Sequence, residues 1–141
     1  MSKSFEDELM ELQGEMVSLC MDVTKGKADY IFVYCSNEKS SKLFHAFFAI
    51  DGKLTQLHEL DAPDRIQWRF LDLGTEELCK LDDLGKKHNM QVPTEMKMGY
   101  QVESGKFKAT YKYEPVCVGD VMSEDVYESW MEVVKKGFKL S

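Results

Sequence analysis

The dipeptide Asp51-Gly52, set between Leu43 to Ile50 and Lys53 to Leu60, constrains this chain most. Asp-Gly accepts the positive φ angles that a two-residue hairpin turn requires, and apolar residues fill both flanking runs. With Ile50 opposite Lys53, Phe44, Ala46, Phe48, Ile50 and Leu57 share one face of the hairpin. Leu43, His45, Phe47, Ala49, Leu54, Gln56, His58 and Leu60 share the other, and His45 falls opposite His58. The first face reads as core and the second as mixed.

The remaining elements follow from periodicity. Ser4, in capping position before Asp7, opens a helix whose Phe5, Leu9, Leu12, Met16, Leu19 and Val23 form one stripe, and Thr24 to Lys27 stop it. Tyr30 to Cys35 is β-branched and aromatic without alternation, the pattern of a central strand covered on both faces. A polar loop is expected from Ser36 to Lys42. Residues 62 to 74, which include Pro63 and Trp68, fit a short helix or an irregular connection equally. Thr75 is expected to cap a second helix with Leu78, Leu81, Leu84 and His88 on one face. Alternation then runs from Glu95 to Glu103 and from Lys106 to Glu114 around Ser104-Gly105. Met96, Met98, Tyr100, Val102, Phe107, Ala109, Tyr111 and Tyr113 share a face, and Lys97, Lys106, Lys108 and Lys112 lie opposite. Ser123-Glu124-Asp125 begins a last helix in which Val126, Tyr127, Trp130, Val133, Val134 and Phe138 keep a 3.6-residue period. The whole chain, 1–141, therefore reads as one α+β domain. It has an antiparallel sheet of about five strands built largely from hairpins, with helices near the N-terminus, the middle and the C-terminus, and the sheet is expected to be covered mainly on one face.

Charge narrows the partners. Eighteen Lys and Arg against 25 Asp and Glu give a net charge of -7 and a pI near 5.0, which repels a nucleic-acid backbone or an anionic membrane at long range. The N-terminal residues have no secretory pattern, and the apolar runs are shorter than the roughly 18 to 20 residues of a membrane span, so a cytoplasmic protein is expected. Cys20, Cys35, Cys79 and Cys117 form no C-x-x-C, sit in apolar runs, and read as reduced core thiols.

Catalytic patterns are missing from the sequence. It contains no G-x-S-x-G, P-loop, H-E-x-x-H or EF-hand spacing. The pairs Glu76-Glu77 and Asp82-Asp83 point about 100° apart on their helix and form no acid/base dyad. The expectation is a non-enzyme without cofactor. The His45 and His58 pair is kept as an alternative: a metal site, or part of a ligand pocket between Phe47, Gln56 and a covering helix.

Acidic residues concentrate in two places: Glu6, Asp7, Glu8, Glu11 and Glu15 on the first helix, and Glu114, Asp120, Glu124, Asp125, Glu128 and Glu132 around the last. Either suits a solvated face or a landing surface for a basic protein. Asp120, Glu124, Asp125 and Glu128 are favoured because they run from an irregular loop into a helix start. Phe47, Trp68 and Trp130 are the candidate aromatic anchors.

The order of elements and the segment Gly105-Lys106-Phe107-Lys108-Ala109-Thr110-Tyr111-Lys112-Tyr113-Glu114 resemble the YezG-like immunity proteins. These are small bacterial antitoxins in which a similar G-K-F-x-x-x-[FY]-x-Y hairpin follows a middle helix. Trp130 corresponds to the tryptophan-containing element after the family's last hairpin. The chain has no tryptophan between the first helix and first strand, nor at the start of the second hairpin, where it carries Thr94-Glu95-Met96. The resemblance implies non-catalytic, cytoplasmic neutralisation of a cognate toxin, often a nuclease, by tight protein binding. Asp120, Glu124, Asp125, Glu128 and Trp130 are the expected contact residues, and homodimerisation through an uncovered sheet face stays open.

Overall fold

The computed structural model describes residues 3–38, 41–117 and 121–137. It contains α1 (Phe5–Val23), β1 (Tyr30–Glu38), β2 (Ser41–Ile50), β3 (Lys53–Gln56), α2 (Asp64–His88), β4 (Glu95–Gln101), β5 (Phe107–Lys112) and α3 (Ser123–Gly137), with a 3₁₀ turn at Leu57–Glu59. The five strands form one sheet in the order β3-β2-β1-β4-β5, and every pairing is antiparallel. The unalternating strand β1 lies at its centre, as its composition requires.

The Asp51-Gly52 turn has both φ angles positive, 52° and 77°, and pairs Ile50 with Lys53 as expected. The ladder stops at Phe47 and Gln56, however. Leu57 turns into the core, the Glu59 carboxylate accepts a hydrogen bond from the Gln56 amide, and the 3₁₀ turn carries His58 off the strand. The expected placement of His58 opposite His45 on the ladder is therefore wrong.

Three further expectations are corrected. The polar residues 36–38, 41 and 42 continue β1 and β2 instead of forming a loop, with Glu38 paired to Ser41. Buried Asn37 tolerates this because its side-chain amide donates to Asp82 (2.8 Å) while Lys42 bridges both groups. Residues 64 to 74 are helical, so α2 starts after Pro63, and Thr75 is not a cap but donates its hydroxyl to the Leu71 carbonyl inside the helix. In the second hairpin Tyr100 faces Phe107 and the Gln101 amide donates to Lys106, giving a longer turn than Ser104-Gly105 alone. That shift is two residues, so every side chain keeps its face.

Helices α1 and α2 cover one face of the sheet. Leu12, Met16, Cys20 and Val23 of α1 and Phe70, Leu78 and Leu81 of α2 enclose Ile31, Val33, Cys35, Phe44, Ala46, Phe48, Met96 and Met98. The sheet is not covered on that face alone. Helix α3 packs on the other, where Tyr127 joins buried Tyr34 and Phe47, flanked by Phe32, Leu54, Val126, Trp130, Met131 and Val134. Val133 is exposed and off this stripe, and Phe138 lies outside the described residues. Among the described residues no helix is long and apolar enough to cross a membrane. Cys20 and Cys35 are buried thiols whose pKa values burial pushes upward, whereas Cys79 is exposed on α2 and Cys117 is half-buried, contrary to the expectation of four core thiols.

Candidate functional site

Helix α3 is held by aromatic side chains. Trp130 meets Phe47 edge-on at 5.1 Å and Phe32 at 6.2 Å, and the Lys97 ammonium lies 6.0 Å from its ring. The Tyr127 ring stacks on His45 at 4.3 Å, and its hydroxyl donates to the Ala46 carbonyl at 3.1 Å. Burial holds the His45 imidazole below its usual pKa, and the Ala46 amide donates to its unprotonated Nδ1. Tyr34, whose hydroxyl donates to buried Glu95 at 2.8 Å, keeps its proton to unusually high pH because it is desolvated and sits against that carboxylate.

The opposite side of α3 is acidic. Glu124, Glu128 and Glu132 recur at four-residue spacing and Asp125 lies beside them, all exposed. Asp125 accepts the Met122 amide at the helix start and Glu124 accepts the Ser123 hydroxyl. Among the described residues none of the four is in an ion pair with a basic side chain. Like charges at i, i+4 cost an isolated helix about 0.2–0.5 kcal/mol per pair.

The acidic residues of α1 are differently placed. Glu8 binds Lys87 at 2.8 Å and also His88, Glu11 binds Lys3, and Glu15 binds Lys80 at 3.2 Å. Three of these contacts, Glu8 to Lys87, Glu8 to His88 and Glu15 to Lys80, fasten α1 to α2. The two acidic concentrations that look alike in sequence therefore differ in pairing: Glu8, Glu11 and Glu15 on α1 form ion pairs, while Glu124, Asp125, Glu128 and Glu132 on α3 form none among the described residues.

The expected residues divide accordingly. Glu124, Asp125 and Glu128 lie together on the outer face of α3, while Asp120 lies outside the described residues. Trp130 sits on the inner side of the same helix, half-buried, and anchors it to the sheet. Phe47 is fully buried and is unsuited as a partner anchor, a correction to the sequence reading. Trp68 is 67% exposed on the N-terminal half of α2, between Arg65 and Arg69. The expected pocket over His45 and Phe47 is filled by Tyr127 and Trp130. A cavity of about 420 Å³ remains farther along, lined by Lys53, Leu54, Gln56, Met131 and Lys135, with Glu132 of the acidic row at its border. Among the described residues no group of three or more His, Cys, Asp or Glu side chains is arranged to hold a metal ion. The stack on Tyr127, which pattern reading missed, has its signal in the i, i+3 spacing of Tyr127 and Trp130 at a helix start facing an aromatic strand.

Compared with known proteins, the chain matches no family model, and no curated protein sequence matches it.

Proposed function

We propose that this chain is a non-catalytic, cytoplasmic immunity protein that neutralises a cationic protein toxin by binding it through the outer face of α3. The observation that carries the reading is the row Glu124, Glu128 and Glu132 with Asp125, exposed and in no ion pair among the described residues, while Glu8, Glu11 and Glu15 are engaged in ion pairs. Such a row accelerates encounter with a basic surface and selects against acidic ones. Its scaffold is rigid, because Trp130 and Tyr127 lock the helix to the central strands and little ordering is needed on binding. The resemblance of the Gly105 to Glu114 hairpin to YezG-like immunity proteins points the same way, and a nuclease, whose substrate demands a basic surface, is the toxin class that fits best.

The test is a paired affinity capture from the native cells, with wild-type chain and E124K/D125K/E128K as baits. We expect one basic protein with a toxin-like domain on the wild-type bait and its loss from the variant. Equal recovery on both baits, or an acidic partner, contradicts the reading.

A further inference from the structure

Strand β5 forms an open edge of the sheet, at the opposite side from β3. The Gln101 amide donates to the Lys106 carbonyl, so in the antiparallel alternation Lys108 and Thr110 turn their backbone groups toward β4. Phe107, Ala109 and Tyr111 then direct their amides and carbonyls outward. These outward groups form a six-residue template for another strand.

The two faces of this edge differ in chemistry. On the α1 side, Phe107 (42% exposed) and Met10 (69%) border a groove of about 310 Å³ that Gln13, Val17 and Tyr100 also line, and Tyr111 (38%), whose hydroxyl accepts from the Gln13 side-chain amide, exposes its ring on the same face. On the other face Lys106, Lys108 and Lys112 project without an ion-pair partner among the described residues, in a chain of net charge -7. Helix α3 leaves them uncovered, because it packs on the β1 and β2 side.

We infer that β5 is a strand-addition site for an extended segment of a partner protein that alternates carboxylate and apolar side chains. Backbone hydrogen bonds to Phe107, Ala109 and Tyr111 supply affinity. Carboxylates opposite Lys106 and Lys108 and apolar side chains against Phe107, Tyr111 and Met10 supply specificity. A second copy of the chain is the wrong occupant. Antiparallel self-pairing centred on Ala109 places Lys106 opposite Lys112, and centring on Thr110 places Lys108 opposite Lys112. The inference goes beyond the toxin reading and does not rest on it.

The test uses a capped octapeptide of alternating glutamate and valine, with alternating lysine and valine as its counterpart, titrated into the full chain while backbone amide resonances are followed. We expect saturable shifts centred on 107–111 with the glutamate peptide. A109P, which removes an amide not used by β4, should weaken binding at least tenfold while the far-ultraviolet circular dichroism stays native. K106E/K108E, on the same native fold, should exchange the preference to the lysine peptide. No saturable shifts, shifts elsewhere than β5, equal binding of the two peptides, unchanged binding by natively folded A109P, or a wild-type dimer that A109P dissolves would each overturn the inference.

Discussion

The ring of Tyr127 lies parallel to the imidazole of His45, centroids 4.3 Å apart and planes within 3°, and so joins α3 to β2. Because the same tyrosine donates to the Ala46 carbonyl, it fixes the helix by both an apolar and a polar contact. Removing the hydroxyl in Tyr127→Phe should cost about 1 kcal/mol. Tyr127→Ala should cost about 3 kcal/mol as the second cluster opens. Urea unfolding followed by tryptophan fluorescence measures both, and Trp130 emission should shift to the red only in the alanine variant.

His45 makes that attachment pH-dependent. Burial displaces its pKa below 6.5, so the unfolded chain gains a proton before the folded one does. The stabilisation is complete above about pH 6.5 and is lost as the pH falls from there toward the folded pKa. His58 pushes the same way and Glu124 opposes. Glu8 titrates in a separate window: its hydrogen bonds from Lys87 and His88 lower it from 4.5, so its contribution is lost only at lower pH. His45→Phe, which keeps a ring beneath Tyr127, should flatten the stability curve between pH 7 and pH 5.5 measured by urea unfolding.

Two helical glycines should respond to alanine with opposite signs. A Cβ at Gly74 falls 1.9 Å from the Phe44 ring, whereas one at Gly14 meets nothing within 4 Å. Gly14→Ala should stabilise by roughly 0.5–1 kcal/mol through helix propensity. Gly74→Ala should destabilise by about 1–3 kcal/mol through overpacking. Thermal melts of the two variants against wild type measure the contrast.

Thiol labelling should separate the cysteines by position. Cys79 should react rapidly with a maleimide in the native protein and Cys117 more slowly, while Cys20 and Cys35 should stay unlabelled until denaturant is added. Peptide mapping by mass spectrometry reads each site.

The Gly74 and Phe44 contact also explains which parts of the fold the sequence conceals. Gly74-Thr75 looks like a break followed by a cap, yet the glycine is there because an aromatic ring from β2 occupies the space of its side chain. Only the tertiary partner makes that visible. Ser36 to Lys42 looks like a loop because Asn37 is polar, and the strand exists because Asp82, 45 residues away, accepts its amide. Elements with an internal period or a turn code, such as α1, the Asp51-Gly52 hairpin and the central β1, are legible without partners. At the candidate site, Glu124, Asp125 and Glu128 are legible as an acidic helix start. That Glu8, Glu11 and Glu15 are engaged depends on Lys3, Lys80 and Lys87, and the two of these on α2 come from distant sequence.

The most direct measurement is the association rate of the captured partner with wild-type chain and with E124K/D125K/E128K across a series of salt concentrations. For wild type we expect a rate that falls steeply with ionic strength, and for the variant a rate at least tenfold slower at low salt with a flat or inverted dependence. Identical salt slopes for the two proteins would contradict a binding role for the outer face of α3.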